Sequence, residues 1–134
     1  MLRIVNFVLC EDILDAGPDQ KPALINPVAL QLLHNHVDGE ESATNLDCWL
    51  AADVCGDERG DFPAELYVIA PGGKTTLLAT FTLQWLTDDP KPIAKIALDL
   101  RPVPVPIARW GVYEFRLNVR GEELVSFGLP IMGV

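Results

Sequence analysis

From Tyr113 to Arg120 apolar and polar residues alternate without exception: Tyr113, Phe115, Leu117 and Val119 against Glu114, Arg116, Asn118 and Arg120. A period of two puts one set on each side of an extended chain, which predicts a half-buried strand. Arg120-Gly121-Glu122 then turns the chain into residues 123–129, a hairpin in which Gly121 is free to take positive φ. The same period runs through residues 75–86, with Leu77, Ala79, Phe81, Leu83 and Trp85 on one face and Thr76, Thr80, Thr82 and Gln84 on the other, together with Leu78 and Leu86. Before it, Leu66 and Val68 alternate with Glu65, Tyr67 and Ile69 within residues 62–70, and Pro71-Gly72-Gly73 supplies strong turn chemistry.

Four further strands are predicted. Residues 2–10 are almost continuously apolar, as expected of a strand buried on both faces. Residues 23–33 form a second strand that Pro27 breaks or confines to an edge, because proline cannot donate to a ladder. Residues 46–55 and 93–100 complete the set. Arg101-Pro-Val-Pro-Val-Pro106-Ile107 reads as a stiff edge segment that turns Val103, Val105 and Ile107 inward, its missing N–H groups blocking edge-to-edge pairing. No stretch shows a convincing helical period; the nearest candidate, 28–36, reads equally well as strand. About eight strands in 134 residues predict an all-β fold, an antiparallel two-sheet β-sandwich of immunoglobulin-like or jelly-roll kind, with a small closed barrel as the alternative. No linker, repeat or low-complexity tract divides the chain, so residues 1–134 are expected to form one domain.

Charge and termini narrow the function. Ten Lys and Arg stand against 19 Asp and Glu, a net charge of −9. The basic residues are scattered, so neither a nucleic-acid phosphate backbone nor an anionic membrane surface is an expected partner. No apolar run is long enough to span a bilayer as a helix. The N-terminus resembles a signal peptide only briefly. Asn6 interrupts its apolar stretch, Glu11 and Asp12 follow directly, and no small-residue cleavage site precedes Cys10. Three cysteines, Cys10, Cys48 and Cys55, are an odd count at irregular spacing. On one strand Cys48 and Cys55 would lie ~23 Å apart on opposite faces, beyond disulfide reach. Buried thiols in a reducing cytoplasm are the expectation.

Little catalytic chemistry is visible. His34-Asn-His36-Val-Asp-Gly-Glu40 has the H-x-H-x3-E spacing of the first cupin metal motif, and His34, His36 and Glu40 are the candidate ligands for one divalent transition metal. The flanking glycines of that motif are missing, with Val28 and Asp47 in their places, and no third histidine exists for its second half. The alternative is a polar loop. Asp38, Glu40, Glu41 and Asp47 form an acidic cluster without the spacing of a calcium loop, and a solvated acidic loop is the plainer reading. Ser42 and Ser126 lie in no nucleophile motif, Gly72-Gly73-Lys74-Thr75 lacks the upstream glycine of a phosphate loop, and the cysteines sit in apolar strand patterns that disfavour thiolate. No catalytic residue and no required cofactor is assigned.

The strand ending in Cys10-Glu11-Asp12, the Ala70-Pro-Gly-Gly-Lys74 hairpin and the G-x-Y-x-F-x-L-x-V-x-G run from Gly111 to Gly121 together resemble a family of small prokaryotic proteins, a domain of unknown function. The resemblance implies a β-sandwich and carries no activity or site residues. The mean hydropathy of the chain is high for so acidic a domain, and surplus apolar surface is often covered by a partner. The leading expectation is therefore a non-enzymatic cytoplasmic module that binds another protein or itself, as a homodimer. The alternative is a small cupin-like metal-binding protein or enzyme.

Overall fold

In the computed structural model of the chain, residues 2–14, 23–27, 32–33, 39–56, 60–85 and 93–132 are described, and they contain strands only. In order these are β1 (Arg3–Leu14), β2 (Ala23–Pro27), β3 (Leu32–Leu33), β4 (Ser42–Cys55), β5 (Pro63–Ile69), β6 (Thr75–Thr82), β7 (Gln84–Trp85), β8 (Ile93–Ile107), β9 (Gly111–Val119) and β10 (Glu122–Met132). One sheet runs β2-β1-β4-β8-β7 and the other β3-β10-β9-β5-β6. All pairs are antiparallel except β10 with β3, which is parallel. The two sheets make the expected β-sandwich rather than a closed barrel.

Alternation determines which side of each strand meets the other sheet. In β9, Tyr113, Phe115, Leu117 and Val119 are buried while Val112 and Arg116 are exposed. In β10, Val125, Phe127, Leu129 and Ile131 are buried while Ser126 and Gly128 face out. The first sheet answers with Leu46, Cys48, Leu50, Ala52 and Val54 of β4 and Ala94, Ile96, Leu98 and Leu100 of β8. Phe115 and Phe127 stack with ring centroids 5.3 Å apart, and Phe7 of β1 reaches across the sandwich to within 5.7 Å of Phe127. The β9–β10 turn has two residues, Arg120 and Gly121, at φ 54° and 78°. Two positive φ values define the type I′ turn that matches strand twist, with Gly121 in the place expected of it. Arg120 accepts the less favourable conformation while its guanidinium carbon sits 3.9 Å from the centroid of the Phe62 ring.

Three expected elements change. The strand foreseen over 75–86 divides at Leu83, β6 staying on the edge of one sheet and β7 joining β8 in the other. Leu83 is buried at this crossing, and its N–H donates to Phe62 O. A bulge in β6 puts Leu66 opposite Ala79 but Tyr67 opposite Leu77. The extra residue, Leu78, reverses the period, so Leu77 turns outward while Ala79 and Phe81 face inward. The span 23–33 contains two strands in different sheets, β2 ending at Pro27. Finally, residues 101–107 continue the strand begun at 93, so β8 pairs with β4 as far as Ile107 opposite Ser42. Val103, Val105 and Ile107 are buried as expected, and Pro102, Pro104 and Pro106 are exposed. Pro104 and Pro106 share one parity, so their missing donors fall on one side of the strand.

The strand order decides between the two sandwich types. Relabelled A to G, the strands β1, β4, β8 and β7 form an A-B-E-D sheet, and β10, β9 and β5 form a G-F-C sheet to which β6 adds C′. This is the immunoglobulin arrangement, not the jelly roll. A tyrosine corner accompanies it. The fully buried Tyr113, near the start of the F strand, donates its hydroxyl to Arg109 O at 2.7 Å and accepts from the N–H groups of Ala108 and Arg109, each at 3.3 Å.

Candidate functional site

His34 and His36 lie outside the described residues, as does Asp38. Glu40 is exposed beside Gly39, whose N–H donates to Ala108 O at 2.8 Å and ties this approach to β4 against the end of β8. Among the described residues no group of three or more His, Cys, Asp or Glu is gathered closely enough to hold a metal ion. Glu41 and Ser42 line a cleft of ≈ 230 Å³ with Lys74, Thr76 and Ile107, whereas Asp47 is exposed farther along β4. The strand order also removes the jelly-roll setting in which the His-x-His spacing would have its cupin meaning.

The thiols occupy three different environments. Cys48 is buried among core residues, pointing the same way as Leu46 and Leu50. Cys10 is also buried, but it pairs in register with Trp49 on the opposite side of the sheet. Cys55, the last residue of β4, is exposed, which corrects the expectation that all three would be buried. Its parity is opposite to that of buried Val54, so it faces out where the strand ends. None of the three forms a disulfide. Burial, the neighbouring Cys10 and the charge of Asp47 push the Cys48 thiol up to about 11. An aromatic disulfide reagent at pH 8 is therefore expected to modify one thiol of three quickly and the others only on denaturation. Three equally fast thiols would contradict this. Because the folded Cys48 keeps its proton to higher pH than an unfolded cysteine, its contribution to stability is present below about pH 9 and falls as pH rises towards 11.

The outward face of the β6-β5-β9-β10 sheet is the surface on which chemistry and shape converge. Pairing aligns its side chains in rows. Leu77, Tyr67, Arg116 and Ser126 form one row, and Thr75, Ile69, Glu114 and Gly128 the next. Val112 stands opposite Pro130 beyond them. The charges of this face are largely satisfied within it. Arg116 Nε lies 3.4 Å from Glu114 Oε1 and 3.3 Å from Glu123 Oε1. The Tyr67 hydroxyl donates to the Glu65 carboxylate, which raises the tyrosine's pKa by stabilising its protonated form, burial and the charge of Glu65 adding to the shift.

Apolar groups are not covered in the same way. Val112 is 60% exposed, Leu77 49% and Trp110 47%. Gly128 contributes no side chain to its row, and a Cβ built there would come within 3.0 Å of Val112 Cγ1. Its absence helps open a shallow groove of ≈ 540 Å³ lined by Ile69, Ala70, Gly73, Val112 and Glu114. Apolar residues at wet positions were the available signal. Val112 shares the parity of Glu114 and Arg116, and Ile69 that of Glu65. The opposite sheet has a different outward surface, with Lys95 and Asp53 paired at 2.7 Å and the Arg101 guanidinium 4.9 Å from the Trp49 ring centroid.

Against known proteins, no family model, no curated protein and no solved structure matches this chain.

Proposed function

We propose that this protein is a non-enzymatic interaction module, an immunoglobulin-like sandwich that presents the outward face of its β6-β5-β9-β10 sheet to another protein. One observation carries the reading. On this face Arg116 is shared by Glu114 and Glu123, while Val112 stands exposed in the lining of a groove and Leu77 and Trp110 are exposed elsewhere on the surface. Burying the exposed apolar residues is favourable at ~25 cal/mol per Å². Exposed apolar side chains rimmed by polar ones mark interaction surfaces. The acidic balance of the chain favours a protein partner over nucleic acid and speeds encounter with a basic one. Among the described residues no helix is long and apolar enough to cross a membrane. The absence of disulfides among three cysteines agrees with a cytoplasmic setting.

The test is capture of partners from host lysate by immobilised protein, comparing wild type with Val112→Glu. Val112 is exposed, so the substitution leaves the core untouched and puts a charge into the proposed interface. The specifically retained protein should be lost from the variant.

A further inference from the structure

The edges of the two sheets are not equally protected. β8 contains exposed Pro102, Pro104 and Pro106 and pairs with β7 at Ile96 and Ala97. β10 begins with exposed Glu122 and Glu123, contains Pro130 and meets β3 at Ile131 and Met132. β1 begins with Arg3 and pairs with β2 from Cys10 onward. These are the devices by which sheets avoid pairing with other chains. β6 has a bulge at Leu78 but neither charge nor proline. Its eight residues are Thr-Thr-Leu-Leu-Ala-Thr-Phe-Thr, and among the described residues no strand pairs with its outer side.

We infer that the β6 edge is a self-association site at which a second copy of this chain adds its own β6 antiparallel about a two-fold axis, joining the two outward faces into one continuous sheet. This rests on the interaction-module reading and names one partner of it. The bulge supports the pairing. Leu78 is the extra residue, so outward positions fall at Thr75, Leu77, Thr80 and Thr82 and are symmetric about the strand centre. A two-fold axis between Leu78 and Ala79 sets Thr75 opposite Thr82, Leu77 opposite Thr80 and Thr76 opposite Phe81. Every outward residue then meets an outward one and every inward residue an inward one, as an isologous interface requires. The Thr75–Thr82 and Thr76–Phe81 pairs are of kinds favourable across strands, and no like charges meet. Charge complementarity agrees: Lys74, just before β6, is brought towards the partner's Asp61, just before β5, where Pro63 is registered with Thr82.

Sedimentation velocity of the purified chain across roughly 1–100 µM tests this. Wild type should show a monomer–dimer equilibrium. Leu77→Lys and Thr80→Lys each alter an outward edge residue without entering the core, and each should weaken dimerisation by about tenfold or more. The double variant Leu77→Lys with Thr80→Glu places Lys opposite Glu twice across the axis and should recover the dimer. One rapidly reacting thiol in every variant shows that each is folded. A wild type monomeric throughout, or a dimer indifferent to both single lysines, overturns the inference. If that happens while Val112→Glu still loses its captured protein, the edge proposal fails and the docking-face reading stands.

Discussion

Phe115→Ala is expected to cost ~3–5 kcal/mol of folding stability, the range for truncating a buried phenylalanine. Phe115 is fully buried in the central F strand and stacks on Phe127, which in turn meets Phe7 from the other sheet. Its removal leaves a cavity between sheets whose neighbouring strands are each held by ladders on both sides, so collapse around it is limited. The change should appear as a lower urea midpoint with an unchanged slope. A loss below ~1 kcal/mol would mean that this aromatic stack is not the centre of the core.

Tyr113→Phe is the second large effect, ~2 kcal/mol. The substitution keeps the ring and its packing and deletes only the hydroxyl. That hydroxyl donates to Arg109 O and accepts from the N–H groups of Ala108 and Arg109. Three bonds of ~1 kcal/mol each set the upper scale, reduced because Ala108 and Arg109 are exposed and water can replace part of what is lost. The same bonds hold the loop bearing Trp110 against the start of β9, where Val112 enters the outward face. Amide hydrogen exchange around residues 108–110 should therefore quicken more than in the core. Unchanged stability together with unchanged exchange would show that the corner does not hold the loop.

Local pattern made much of the sandwich legible. The alternation of Tyr113 to Val119, the Arg120-Gly121 turn and the inward valines of the proline segment all follow from period and backbone restriction. Strand order was not legible, because pairing β4 with β8 joins residues some fifty positions apart, and nothing in either stretch names the other. The division at Leu83 was hidden for a similar reason: Leu83 keeps an apolar parity, and only the hydrogen bond to Phe62 O marks the crossing between sheets. The bulge at Leu78 reversed half of the face assigned to 75–86, since one extra residue inverts every position beyond it. Cys55 misled because an apolar run was read as burial to its last residue. The metal candidates showed the opposite imbalance. His34, His36 and Glu40 made the sharpest motif in the sequence, yet His34 and His36 lie outside the described residues and Glu40 is exposed. The docking face was present in the sequence only as Val112 and Ile69 on the wet side of their strands.

The most direct measurement is quantitative capture from host lysate by wild type and by Val112→Glu, with unfolding midpoints recorded for both. Wild type should retain one specific protein that the variant loses, while the two midpoints agree within ~0.5 kcal/mol of stability, as expected of an exposed site. Retention of the same protein by both would contradict the outward face of this sheet as the docking surface.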